Sequence, residues 1–330
     1  MKIFYAVQAT GNGHISRANQ IVPILKKYGA VDLLLSGNNY SLKPEFEVKY
    51  RSKGISLYYN DCGSVNLGKT IFSKAIFGAI KDARSLTLKD YDIVINDFDF
   101  VTSVACGLQK VPSVHFGHQA SFKSKNVPRP SKIDPVGELI LQHYARAPHH
   151  VGLHFKSYDE GIFPPIVKEN ISSSKPSTGD HYAIYLPSVD QFCIYQSLKK
   201  LNKIKFHWFT HDTKEARQDE NIKIMPISDV GFTESLINCK GLITGGGFET
   251  PSEALFLGKK LLSVPIKKHY EQQCNSAALE QMGVKVLLDP KFDAFDQHIM
   301  NWIDEDVEVP PLEKADTQNM VEYIVKQQYK

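Results

Sequence analysis

Hydrophobic residues along this chain fall into short runs rich in Val, Ile and aromatics, separated by stretches of helical period and by Gly- and Ser-rich turns. Such alternation predicts a parallel sheet wound with helices on both faces, because strands buried on two sides read as continuous apolar runs. In the first half, strands are predicted over 2–8, 31–36, 47–51, 55–59, 92–97, 111–116 and 150–155. Helices fall between several of them. The segment 15–28 places Ile21, Ile24, Leu25 and Tyr28 on one face, and 134–146 does the same with Leu139, Ile140, His143 and Tyr144. A further helical stretch, 70–88, carries Ile71, Phe72, Ala75, Ile76, Phe77 and Ile80, which fits core packing or an apolar acceptor or lipid surface.

Residues 158–180 interrupt the pattern with Pro164, Pro165, Pro176 and a run of serines, a composition suited to a connector. The alternation then restarts. Strands are predicted over 181–187, 204–210, 222–225, 241–244, 260–264 and 284–288, with helices over 189–201, 231–239, 250–257 and 270–282. A last helix over 313–328 either closes the second domain or crosses back onto the first. The expected organisation is therefore α/β, with two doubly wound Rossmann-like domains, 1–157 and 181–330, facing across a cleft where a ligand binds.

Composition keeps this picture within the soluble globular class: 42% hydrophobic and 23% charged residues, 21 Gly and 17 Pro. A net charge of +3 gives no reason to expect nucleic acid as a partner. Five scattered cysteines without a C-x-x-C pair suggest neither a disulfide framework nor a zinc site, and no metal is expected. The apolar run at the N-terminus is too short for a signal peptide, and no stretch is long enough to span a membrane, so a cytoplasmic protein, membrane-peripheral at most, is predicted.

Two loops carry the candidate chemistry. The first follows strand 2–8 as Thr10-Gly11-Asn12-Gly13-His14. Its third fingerprint position is Ser16 rather than glycine and no acidic residue ends the second strand, which disfavours a dinucleotide site. An imidazole at the loop tip can accept a proton near neutral pH, or His14 can be a solvated residue of a capping loop. Strand 92–97 ends in Asp97, which in a doubly wound sheet emerges beside the first strand and so beside His14. Asp97 can pair with the imidazole or cap the next helix, with Asp99 as the fallback partner. His118 and Gln119 follow the next strand, where they can touch substrate or serve as supporting structure. Between Ser121 and Lys132, the cations Lys123, Lys125, Arg129 and Lys132 occur without an acid, fitting a solvated loop, a phosphorylated acceptor or an anionic membrane surface.

The second loop follows strand 241–244 as Gly245-Gly246-Gly247-Phe248-Glu249-Thr250. Bare amides at a helix start form an anion site suited to a diphosphate. Glu253, one turn into the helix, can take both hydroxyls of a ribose, although T-x-x-E is also a capping box. Further on, Glu271, Gln272 and Asn275 occupy neighbouring helical positions, where acid and amide groups suit a sugar's hydroxyls or simply form an exposed face.

The run G-G-G-F-E-T-x-x-E-A-x-x-x-G-K-x-x-x-x-x-P, then E-Q-x-x-N-x-x-x-L-x-x-x-G, resembles the donor-sugar signature of GT-B glycosyltransferases. It is similar to that of the peptidoglycan N-acetylglucosaminyltransferase and of the plant and macrolide UDP-glycosyltransferase families, whose acceptor-side loop the first-domain G-x-G-H also matches. The sequence departs from them at Asn12, where the peptidoglycan enzymes have glycine, and at Gly245, where the plant enzymes have a phosphate-binding histidine. The resemblance implies an inverting, metal-independent transfer of a hexose or N-acetylhexosamine from a nucleoside-diphosphate sugar, UDP above all, to a hydroxyl acceptor. The acceptor would be a small molecule, a glycan or a lipid-linked alcohol. No cofactor is implied beyond the nucleotide sugar as co-substrate. By position, His14 would be the base and Asp97 its partner, with Gly11, Asn12, Gly13, His118 and Gln119 on the acceptor side. Gly245, Gly246, Gly247 and Thr250 would hold the diphosphate, Glu253 the ribose, and Glu271 with Gln272 the sugar. The base would lie near Met225–Ser228 and Phe232. The same plan admits two alternatives, a non-hydrolysing UDP-sugar 2-epimerase and a non-catalytic nucleotide-sugar-binding protein.

Overall fold

The computed structural model of the chain describes residues 1–40, 42–55, 74–290, 292–306 and 311–327. Most of the strand predicted over 55–59 and the first residues of the helix predicted over 70–88 lie outside the described residues. Two compact units are present: Met1–Val127 with Ile133–Lys168 and Lys314–Lys330, and Pro128–Lys132 with Glu169–Glu313.

In the first unit the elements run β1 (Lys2–Gln8), α1 (Asn12–Leu25), β2 (Ala30–Ser36), β3 (Tyr50–Ser52), α2 (Lys74–Ser85), β4 (Ile93–Asp97), α3 (Phe100–Gln109), β5 (Val114–Gly117), a 3-10 turn (His118–Lys123), α4 (Pro135–His143), β6 (His149–Leu153) and β7 (Ile162–Phe163). The strands pair in parallel in the order β3-β2-β1-β4-β5-β6-β7. Every residue of β1 after Lys2 is buried, as expected for a central strand covered on both faces. Phe4, Ala6, Leu34 and Val94 share one core cluster with Ala79 and Ala83 of α2 and with Val101 and Ala105 of α3. Strand order reverses between β1 and β4, and the register pairs Val7 with Asp97. The carboxyl ends of these two strands therefore lie level at a topological switch point, where α/β sheets bind ligands.

The second unit repeats the winding. It contains α5 (Glu169–Ser172), β8 (His181–Tyr185), α6 (Gln191–Lys200), β9 (Lys205–Thr210), β10 (Arg217–Asp219), β11 (Ile222–Pro226), α7 (Asp229–Asn238), β12 (Gly241–Thr244), α8 (Glu249–Phe256), β13 (Lys260–Ser263), α9 (Tyr270–Gln281), β14 (Lys285–Val286) and α10 (Phe295–Asp304). The sheet order is β10-β11-β9-β8-β12-β13-β14, parallel except for the β10–β11 hairpin at one edge. Ile184, Phe206, Ile243 and Leu262 from its four central strands pack against Leu198 of α6 and Phe295, Ile299 and Trp302 of α10. The Trp302 indole donates to the Leu261 carbonyl at 3.1 Å, which ties α10 to β13. Here the order reverses between β8 and β12, so the loop leaving Thr244 occupies the second switch point.

The last described helix, α11 (Thr317–Lys326), packs on α1 of the first unit. Gln318 donates to the Tyr28 hydroxyl at 3.0 Å, and the rings of Tyr323 and Phe163 lie 5.3 Å apart. No helix among the described residues is long and apolar enough to cross a membrane.

Candidate functional site

Helix α1 begins at Asn12, three residues before the predicted start, so His14 sits in its first turn rather than at a loop tip. The cause is Gly11. Its φ of 155° and ψ of 166° belong to a region open only to glycine, and this turns the chain from β1 directly into the helix. His14 is thereby fixed next to the end of β4.

There the imidazole Nδ1 lies 2.8 Å from Asp97 Oδ1. The Asp97 carboxylate is fully buried and also accepts from Arg17, at 3.0 Å from Nε to Oδ2 and 2.9 Å from Nη2 to Oδ1. The Tyr5 hydroxyl donates to Oδ2 at 3.4 Å. Burial alone would raise the carboxyl above its ordinary range, but Arg17 and His14 outweigh it and hold it well below. Arg17 Nη2 is also 2.9 Å from His14 Nδ1. That nitrogen thus faces an acceptor-only carboxylate and a donor-only guanidinium at once. The His14 side chain is 13% exposed, against 2% for Arg17, so it is the member of the group that reaches the surface.

The alternatives left open for the acidic residues separate here. Asp99, not Asp97, is the N-cap of α3, accepting from Thr102 N at 2.6 Å, while Asn96 brackets it from both sides. Between the two acids, Phe98 adopts φ 53°, a left-handed conformation costly for a bulky residue. Its buried ring is held 4.9 Å from Tyr144 and 5.9 Å from His115. The reversal at Phe98 sends Asp97 to His14 and Asp99 to the helix. Across the site, Gly117 has φ 119°, and a Cβ there would stand 2.8 Å from Asp97 Oδ1 and 3.2 Å from Arg17 Nη2.

The remaining first-unit candidates differ in burial and in their bonding. Asn12 Oδ1 accepts from Leu42 N at 3.0 Å, which pins the loop after β2. His118 is 1% exposed, bonded through Nδ1 to the Leu153 carbonyl and packed against Phe122 and His154; Gln119 is 6% exposed. The His118 imidazole is thus part of the packing beneath the sheet edge. Lys123 is turned to the Gln142 carbonyl, while Lys125 and Lys132 are exposed. Phe77 on α2 is 73% exposed, whereas Ile76 packs on the core.

In the second unit, α8 starts at Glu249 and its N-cap, Phe248, makes no side-chain cap bond. Thr250 therefore lies inside the first turn and the capping-box reading does not hold. Glu253 is 4% exposed one turn further on. A Cβ on Gly247 would meet nothing within 4 Å, whereas one on Gly246 would stand 2.8 Å from Pro265 Cβ and 3.0 Å from Gln272 backbone. The triple glycine thus joins a residue that permits close packing to one with open space beside it. Gln272 Oε1 accepts from Ile266 N at 2.8 Å, and its position 3.9 Å from a Cβ on Gly245 brings the start of α9 alongside the glycine loop. Asn275 is fully buried and donates to the Gly246 carbonyl at 3.1 Å, so it shapes the loop rather than forming an exposed face with Glu271 and Gln272. Tyr185 and Phe209 flank Phe232 at 5.4 and 5.2 Å, a ring cluster at the carboxyl ends of β8 and β9.

Sequence reasoning missed Arg17 and Lys259. Arg17 is three residues past His14, the spacing that puts both on one helical face. Lys259, part of the G-K pair quoted above, is 5% exposed and bonds the carbonyls of Ser177 and Cys239 at 2.7 and 2.9 Å, which anchors the connector to the second unit. Among the described residues no group of three His, Cys, Asp or Glu is placed to hold a metal ion.

Comparison with known proteins agrees with this layout. Solved structures that share the fold include MurG of Acinetobacter baumannii (14% identity, 98% of this chain and 99% of that one, TM-score 0.55), LpCGTa in complex with UDP (11%, 100% and 99%, 0.62), and Arabidopsis thaliana UGT89C1 complexed with UDP (12%, 99% and 94%, 0.60). At such identities the likeness is one of fold. No curated protein matches the sequence. A family model for glycosyl transferase family 1 matches residues 1–301. The chain therefore belongs to glycosyl transferase family 1, a glycosyltransferase built from two Rossmann-like units on the GT-B plan.

Proposed function

We propose that this protein is an inverting transferase that moves a hexose or N-acetylhexosamine from a nucleoside-diphosphate sugar, with UDP as the nucleotide, to a hydroxyl acceptor. The observation that carries the reading is the 2.8 Å contact between His14 Nδ1 and the buried Asp97 carboxylate. A carboxylate there orients the ring and stabilises the imidazolium that forms when the other nitrogen, Nε2, takes a proton.

The reaction is a single displacement. Nε2 of His14 accepts the proton of the acceptor hydroxyl as that oxygen bonds to the anomeric carbon. The bond from that carbon to the diphosphate oxygen breaks, and its electron pair leaves with the nucleoside diphosphate. Gly245, Gly246, Gly247 and Thr250 at the start of α8 supply amides and the positive end of a helix dipole for the leaving charge. Glu253 takes the ribose hydroxyls, and Glu271 with the Gln272 amide nitrogen takes the sugar. Gly11, Asn12, Gly13 and Gln119 border the acceptor. Choosing UDP draws on LpCGTa and UGT89C1, both solved with UDP, and choosing an alcohol acceptor on UGT89C1 with quercetin and the spinosyn rhamnosyltransferase SpnG with its aglycone.

The test begins with a panel of nucleotide sugars ranked by thermal shift, since a selective ligand raises apparent stability by mass action. Product analysis with the selected donor in excess chelator follows. Transfer or slow donor hydrolysis with an inverted anomeric centre is expected. A donor epimerised at C2, a retained anomeric configuration, or activity lost to chelator and restored by Mg²⁺ or Mn²⁺ contradicts the proposal.

A further inference from the structure

The short Arg17 Nη2 to His14 Nδ1 distance has two readings. Either Nδ1 is bare and accepts from Arg17, or both groups are donors converging on one oxygen. The second accounts for all the distances together. Oδ1 of Asp97 lies 2.8 Å from Nδ1 and 2.9 Å from Nη2, and these two nitrogens are 2.9 Å apart, a triangle with the acceptor oxygen at its apex. With Arg17 Nε and the Tyr5 hydroxyl on Oδ2, each carboxylate oxygen then takes two donors, its full capacity. A bare Nδ1 would instead set two lone pairs against each other 2.8 Å apart.

We propose that Arg17 is a positioning residue for proton removal: its two-pronged grip fixes the Asp97 carboxylate so that His14 keeps its proton on Nδ1. Its positive charge also offsets the charge of the Asp97 carboxylate beside the ring. This rests on the reading of His14 as the base. The charged and titratable groups facing the pair, among the described residues, are Arg17 on the same helix, Tyr5 on β1 and His115 on β5. Burial pushes His115 down to about 3, with His150 lowering it further, so it is neutral at working pH, and burial next to Asp97 raises the Tyr5 hydroxyl, which stays neutral as well. Among the described residues, Arg17 is then the one cation in direct contact with the dyad. Arginine suits this place because its planar fork matches both carboxylate oxygens and its charge is permanent.

The test has one arm that needs no substrate. Long-range ¹⁵N–¹H correlation of the His14 ring in the wild-type protein near pH 8 is expected to show Nδ1 protonated and Nε2 bare; the opposite tautomer overturns the assignment. In the second arm, the pH dependence of kcat/KM is compared for wild type, Arg17→Met and Arg17→Lys. Loss of one positive charge at this range is expected to move the acid limb of Arg17→Met upward by about one pH unit or more, with Arg17→Lys lying between. A folded Arg17→Met protein with reduced kcat and an unmoved acid limb would make Arg17 merely structural and overturn the proposal. Should Arg17→Met not fold, the wild-type tautomer and the Arg17→Lys profile decide. If no sugar donor and acceptor support turnover, the transferase reading fails while the ring tautomer still decides the role of Arg17.

Discussion

One methyl group at Gly117 is expected to disturb the His14–Asp97 pair more than larger changes elsewhere on the sheet edge. The residue has a backbone conformation that L side chains rarely adopt, and its Cβ would press on Asp97 Oδ1 at 2.8 Å, a fully buried atom with no room to retreat. Gly117→Ala should therefore lower stability by about 1–3 kcal/mol and misplace the carboxylate. The check is a urea melt alongside turnover, with at least a tenfold fall in kcat expected and nucleotide affinity kept. Full turnover would show that the carboxylate position is not critical. His14 and Asp97 were legible in the sequence because a glycine turn and a strand end advertise themselves. Arg17 was not, since an arginine on an amphipathic helix ordinarily marks a solvated face, and only the pairing of β1 with β4 brings an acid under it.

The glycine loop owes its shape to α9 as much as to its own residues. Asn275 is buried against it, and Asn275→Ala leaves the Gly246 carbonyl without that donor, a cost of about 1–3 kcal/mol. Asn275→Asp cannot donate in its ionised form, so both variants should bind the nucleotide more weakly in calorimetry. Unchanged affinity in a folded variant would separate the loop from ligand binding. At this scale the sequence predicted most strands and both loops, because central strands with Gly-rich exits carry strong local signals. It did not predict α10, although Phe295, Ile299 and Trp302 have helical spacing; a short flanking region rich in acids and prolines masked that pattern. Nor did it predict β10, a three-residue edge strand specified by its hairpin partner rather than by its own composition. The early start of α1 depends on a single glycine conformation, which local propensity does not encode.

Acid should destabilise the whole molecule before its carboxylates titrate, because both units bury neutral histidines. Burial lowers His115 to about 3 and His150 to about 4 in the first unit, and lowers His207 to about 4 in the second. His181 stacks on His207 at 3.6 Å and is lowered as well. Above the unfolded-state value both states are neutral, so these groups exert no pH dependence there. As pH falls through about 6.5 the unfolded chain takes up the proton first, and His115 alone removes up to about 1.4 kcal/mol of stability per pH unit until its own folded value is reached. Thermal melts should accordingly fall in Tm from pH 7 to pH 5, and His115→Phe, which keeps a ring against Phe98, should flatten that dependence; an equal slope in both proteins would contradict it. The doubly wound α/β pattern was readable along the chain, whereas the packing of α11 on α1 is a long-range contact that a linear pattern leaves open. The proposed division of labour, with proton removal by His14 and nucleotide binding by Glu253, is tested most directly by measuring donor affinity and turnover separately in His14→Ala and Glu253→Ala. His14→Ala is expected to lose about a hundredfold or more in kcat with donor affinity nearly unchanged, while Glu253→Ala loses affinity for the nucleotide. Parallel loss of donor binding in His14→Ala, or undiminished nucleotide affinity in Glu253→Ala, would contradict it.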